Sequence, residues 1–139
     1  MQKIFIDADV ILDLLAKREP NYKYSATLFT LIDRSKVKAF TSPVVIANIY
    51  YILQKLKKRE FAGNKIRKLR LLLNILTVNE KIVDLALSSN FEDFEDAIQY
   101  YASIENKIDF IITRNKKDYK TSEIPVVSPE EYLNIINAR

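Results

Sequence analysis

Short unbroken apolar runs alternate along this chain with longer stretches in which apolar residues recur every three or four positions. The runs read as buried strands and the recurrences as amphipathic helices. The first run, residues 3–7, ends in Asp7. Over 9–17, Val10, Ile11, Leu14 and Leu15 keep helical spacing, with Asp9 placed to cap the helix. Pro20 suits the first turn of a second helix, whose inner stripe is Ala26, Leu28, Phe29 and Ile32. Residues 38–41 form a short strand candidate, and Pro43 opens a third helix with Val45, Ile49, Ile52 and Leu56 on one face. Ile66, Leu69, Leu73 and Leu76 predict a fourth helix over about 62–76. Asn79 caps a short helix through Leu87, and Asp93 starts another that runs to about Asn106. Residues 109–113 and 125–128 are two further buried strands, and Pro129 opens a last helix through Ile136.

Strands alternating with helices imply a mainly parallel sheet covered on both faces. In such sheets ligands bind outside the carboxyl ends of the strands. The polar residues that follow strands are therefore the candidates for chemistry: Asp7 and Asp9; Thr41 and Ser42; Thr113, Arg114 and Asn115. Asp93 and Asp96 share one face in the first turn of a helix. Capping alone would account for Asp93, capping the following helix is an alternative role for Asp7, and capping is a sufficient role for Asp9; it explains Asp96 less well.

Composition narrows the chemistry. The 139 residues, 48% hydrophobic and 29% charged, suit one soluble domain, 1–139. There is no cysteine and no histidine, which excludes thiol nucleophiles, histidine bases and cysteine- or histidine-held metals. A single glycine excludes glycine-rich phosphate loops. No leader-like segment stands at Met1 and no apolar run approaches the ~20 residues of a membrane span, so a cytoplasmic protein is expected. Two or three carboxylates gathered in a histidine-free pocket repel one another unless a cation joins them. Mg²⁺ or Mn²⁺ suits such oxygen ligands and commonly serves phosphodiester hydrolysis. The net charge of +4 is mild, but Lys55, Lys57, Lys58, Arg59, Lys65, Arg67, Lys68 and Arg70 crowd one stretch. Such a stretch attracts polyanions, although a solvated helix face would look the same.

The segments Phe5-Ile-Asp-Ala-Asp-Val-Ile-Leu-Asp13, Asp93-Phe-Glu-Asp-Ala-Ile-Gln99, Ile112-Thr-Arg-Asn-Lys-Lys-Asp-Tyr119 and Pro125-Val-Val-Ser-Pro-Glu-Glu-Tyr-Leu133, in that order, resemble the PIN-domain family, in particular VapC-like toxins of bacterial toxin–antitoxin pairs. The resemblance spans nearly the whole chain. It implies a PIN-like three-layer α/β/α sandwich and a metal-dependent ribonuclease. Asp7 matches the family's first metal-binding aspartate and Asp96 its third acid, with Asp93 an extra acid and Asn115 where many members carry a fourth. Asp9 and Thr113 match supporting positions, and Asp118 lies close by. The family's second acid, a glutamate on the third helix, reads Asn48 here. An amide brings no charge, so Asn48, expected to point inward, raises the alternative of a catalytically impaired RNA- or protein-binding module. The Asp7-Ala-Asp9 spacing also mimics an aspartyl phosphatase, but that chemistry usually brings glycines to the site, and Gly63 lies far from any strand end. The resemblance further implies an antitoxin partner and a homodimer. Tyr22, Tyr24, Phe29, Tyr50, Tyr51 and Phe61, on the second to fourth helices, are the expected dimer interface.

Overall fold

A computed structural model describes residues 1–137. In chain order the elements are β1 (Lys3–Ile6), α1 (Ala8–Leu15), α2 (Tyr22–Asp33), β2 (Lys38–Thr41), α3 (Pro43–Leu56), α4 (Arg59–Arg70), β3 (Asn74–Ile75), α5 (Glu80–Leu87), α6 (Phe94–Glu105), β4 (Phe110–Ile112), β5 (Val126–Val127) and α7 (Pro129–Asn137). A 3-10 turn covers Lys116–Tyr119. The five strands form one all-parallel sheet in the order β3-β2-β1-β4-β5, flanked by helices as an α/β/α sandwich. The chain winds outward from β1 to β3, then crosses back to lay β4 on the other side of β1. That reversal makes the gap beyond the carboxyl ends of β1 and β4 the place where a ligand binds in such sheets.

The centre is dry. Ile4, Phe5, Ile6, Ile111 and Ile112 are fully buried, as strands covered on both faces require. The starts of α3, α5, α6 and α7 fall where Pro43, Asn79, Asp93 and Pro129 predict. Ser42 Oγ accepts the Val45 N–H at 3.0 Å and Pro43 occupies the first helical turn. Asn79 and Asp93 cap α5 and α6 through the Ile82 and Asp96 N–H groups.

Four expectations are corrected here. The cap of α1 is Asp7, whose Oδ1 accepts the Ala8 N–H at 2.8 Å; Asp9 has other partners. The second helix begins at Tyr22, with Pro20 in the preceding turn. The predicted helix over 62–76 is α4 followed by the edge strand β3. Leu69, Leu73 and Leu76 are all buried, so their spacing suits a helix, but the Asn74 side chain donates to Ala39 O and the Leu76 N–H to Thr41 O. Pairing with β2 overrides the local pattern. Of the six aromatics expected at a dimer interface, Phe29 instead lies in the core. Tyr51 is exposed, and Tyr22, Tyr24, Tyr50 and Phe61 are half-buried. Among the described residues no helix is long and apolar enough to cross a membrane.

Candidate active site

The end of β1 delivers Asp7 to the reversal point. Its backbone N–H is tied to Ile112 O of β4, and its Oδ2 lies 3.1 Å from Thr113 Oγ1 and 3.2 Å from the Tyr119 hydroxyl. The same hydroxyl reaches Asp96 Oδ1 at 3.4 Å. Two carboxylates from opposite parts of the sequence thus flank one phenol oxygen and are separated by less than two hydrogen-bond lengths. Gln99, one helical turn after Asp96, donates its amide N–H to the Tyr119 oxygen at 3.0 Å and accepts from Ser42 Oγ at 3.2 Å. This buried chain ties the end of β2, α6 and the 3-10 turn to Asp7. Asp9 accepts the Arg114 N–H at 2.9 Å and lies 3.3 Å from Thr113 Oγ1 through Oδ2, while its Oδ1 is buried without a partner.

An open cleft of about 520 Å³ lies above these groups. Asp7, Asp9, Asp93, Asp96, Asn115 and Asp118 all line it, and Thr113 is buried beside it. Asn48 lines it too, but from an exposed position on α3 rather than pointing inward. Its Nδ2 lies 3.1 Å from both carboxylate oxygens of Glu95. Val45 and Ile49 take the buried face of α3, which leaves Asn48 on the side turned to α6. None of the eight basic residues from Lys55 to Arg70 lines the cleft. They occupy the end of α3, the short link to α4 and the body of α4, where Lys55 lies over Tyr51 and Lys57 and Lys65 over Phe61. Among the described residues, the cations that do line the cleft are Arg18 and Arg114.

The electrostatics are those of negative charge held without enough compensation. Burial, then the neighbouring Asp9, pushes the Asp7 carboxyl up to about 6, against hydrogen bonds from Ala8, Thr113 and Tyr119. Burial, then Asp7, Asp93 and Asp118, pushes Asp96 up to about 7. Burial raises Asp9 as well, opposed by Arg114. The Tyr119 hydroxyl is raised by burial and by Asp7 and Asp96, so it remains a proton donor. A cation between the carboxylates would remove this repulsion and offer the unpartnered Asp9 oxygen a positive neighbour. Among the described residues no three such groups close into a ready cage. The donor set fits a hydrated hard ion such as Mg²⁺, which keeps several waters and uses one or two carboxylates.

Glu95, Gln99, Tyr119 and Arg18 are site residues that sequence reading passed over. Gln99 carried a signal, its spacing of three from Asp96. Tyr119 carried only its place beside Asp118, since its partner Asp7 lies 112 residues away.

A family model described as PIN domain matches residues 3–117. The chain is 29% identical over 136 residues to Ribonuclease VapC1 of Aquifex aeolicus, covering 94% of this chain and 93% of that protein. Its fold is similar to VapBC2 of Rickettsia felis bound to a promoter DNA fragment, with a TM-score of 0.70 at 17% identity over 91% of this chain and 98% of that one. It is also similar to Mycobacterium tuberculosis VapC20, described as a toxin cleaving the sarcin–ricin loop, with a TM-score of 0.62 at 18% identity over 78% and 86% of the two chains.

Proposed function

Because this chain belongs to the PIN domain family, we propose that it is a ribonuclease that hydrolyses RNA phosphodiester bonds with Mg²⁺ or Mn²⁺, and the toxin of a toxin–antitoxin pair. The observation that carries this reading is the meeting of Asp7 and Asp96 on the Tyr119 hydroxyl, on the floor of an open acidic cleft. The relatives' names, a ribonuclease and an RNA-cleaving toxin, support the reaction class. Asp7 and Asp96 would hold the cation, with Asp93 and Asn115 assisting directly or through water. The bound ion supplies a Lewis acid and a more acidic water. The protein supplies rigidity. Thr113 and Tyr119 orient the Asp7 carboxylate, Gln99 holds the Tyr119 oxygen, and Asp9 braces the backbone at Arg114. The basic stretch from Lys55 to Arg70 attracts RNA backbone at longer range, without reading its sequence. An antitoxin chain, a homodimer and a cytoplasmic location complete the proposal; similarity to the VapBC2 complex supports the first of these.

A second reading, an inactive binding module of the same fold, is favoured by one observation. Position 48 carries an amide, and that amide is engaged with Glu95 rather than free for a cation. One experiment separates the two. Labelled RNA is incubated with the protein in Mn²⁺ or in EDTA. The nuclease reading expects cleavage in Mn²⁺, none in EDTA, and loss of cleavage in Asp96→Asn. RNA bound but never cut, with melting unaffected by Mn²⁺, establishes the binding module instead.

A further inference from the structure

Two cations among the described residues line the cleft, Arg18 and Arg114, and both are bonded to one buried carboxylate. Asp13, on the inner face of α1, is 0% exposed. Its Oδ1 accepts Nε of Arg18 at 3.0 Å. Arg114 meets it in a two-pronged bond, Nε to Oδ2 at 2.6 Å and Nη2 to Oδ1 at 3.1 Å. Arg18 also places Nη2 3.3 Å from Asp9 O. In each guanidinium Nη1 takes no part in these bonds. Both side chains are partly exposed, 46% for Arg18 and 34% for Arg114, and both line the cleft beside Asp7, Asp9 and Asp96.

One carboxylate neutralises one arginine, so the trio keeps a net positive charge beside an otherwise acidic centre. Stability gives little reason for that arrangement, since a buried ion pair often does no better than apolar packing of the same volume. Recognition gives a good one. A guanidinium fork matches phosphate oxygens, and a fork already held by a carboxylate loses less freedom on binding. RNA approaching several carboxylates also needs a local positive charge to bring its backbone close.

We propose that Arg18 and Arg114 together grip a phosphate of the RNA strand next to the acidic centre, and that Asp13 is the positioning residue that aligns them. This rests on the ribonuclease reading and names the groups that hold its substrate in register. The grip is distinct from the α3–α4 basic stretch, no residue of which lines the cleft.

The test measures binding of a short labelled single-stranded RNA in EDTA across a KCl series, with kcat/KM in Mn²⁺ alongside. Arg18→Gln and Arg114→Gln should each weaken binding about tenfold, as loss of a charged hydrogen bond implies. Each should flatten the dependence of log affinity on log salt by about 0.7. Lys36→Gln, which removes the same charge two residues before β2, at the amino end of the strands opposite the cleft, should change affinity by less than about twofold. Asp13→Asn gives the sharpest result. Simple charge counting makes it bind RNA more tightly, because a negative charge is lost; alignment makes it bind more weakly. Thermal melting is followed for every variant, and the half-exposed Arg18→Gln keeps the test decisive if Asp13→Asn fails to fold. Arginine variants that melt lower but bind with the parent's affinity and salt slope would overturn the grip while leaving the nuclease standing. An Asp13→Asn protein that folds and binds as tightly as the parent, or more so, would overturn the positioning role. A parent protein that neither binds nor cuts RNA removes the nuclease reading and the grip together.

Discussion

Asp7 does three things at once: it caps α1, accepts from Thr113 and Tyr119, and carries charge into a place that resists it. The last of these sets a pH dependence. In the unfolded chain its carboxyl titrates at 3.8, and in the fold at about 6; Asp96 moves to about 7. Between those limits the native state holds protons that the unfolded chain has released. Stability of the metal-free protein therefore falls as pH rises from about 4 to above 7. Melting in EDTA should drop between pH 5 and pH 8, and Mn²⁺ at pH 8 should recover the loss. Asp7→Asn should flatten the profile and raise the metal-free melting temperature at pH 8 by about 5 °C. An unchanged profile in that variant would mean that Asp7 does not contribute to the pH dependence. Such properties were only half legible in the sequence. Asp7 and Asp96 stood out because strand ends and helix starts are where chemistry collects, but the hydroxyl between them came from Tyr119, which no local pattern marks as polar machinery.

At the level of elements, legibility followed from how much of an element's behaviour is local. The caps Ser42, Asn79 and Asp93 act within one turn, and the helices they begin were predicted correctly. β3 has two residues and exists because β2 offers an edge; nothing in Leu69-Arg-Leu-Leu-Leu-Asn74 encodes that edge, so the leucine spacing extended the helix in error. The facing of α3 and α6 is likewise tertiary. Asn48 and Glu95 meet across that junction at 3.1 Å, which gives Asn48→Glu a definite outcome. Two carboxylates would then oppose each other at the cleft mouth, and the metal-free variant should melt below the parent. Mn²⁺ should raise its melting temperature by more than it raises the parent's, because an ion that binds only the folded state stabilises it by mass action. Equal shifts in the two proteins would mean that position 48 does not reach the ion.

At the scale of the whole molecule, Tyr51 and Leu56 remain 56% and 64% exposed on the outer face of α3, with Ile52 at 38%. A face of that kind suits a second copy of the chain. Light scattering at micromolar concentration should report about twice the 16.2 kDa chain mass, and Leu56→Glu should return it to that of one chain; a monomeric parent would leave this face to some other partner. The order in which the sheet is laid down has a different consequence, one of timing. β4 enters beside β1 only after β2 and β3 have been made, and Asp7 meets the Tyr119 hydroxyl across 112 residues. At about 5–20 residues per second, a ribosome takes roughly 6–20 s to travel from one to the other. Throughout that interval the Asp7 carboxylate has no Tyr119 hydroxyl beside it, and for most of it no Asp96 either. On the ribonuclease reading, the paired carboxylates that would act on RNA come together only once Tyr119 has been made.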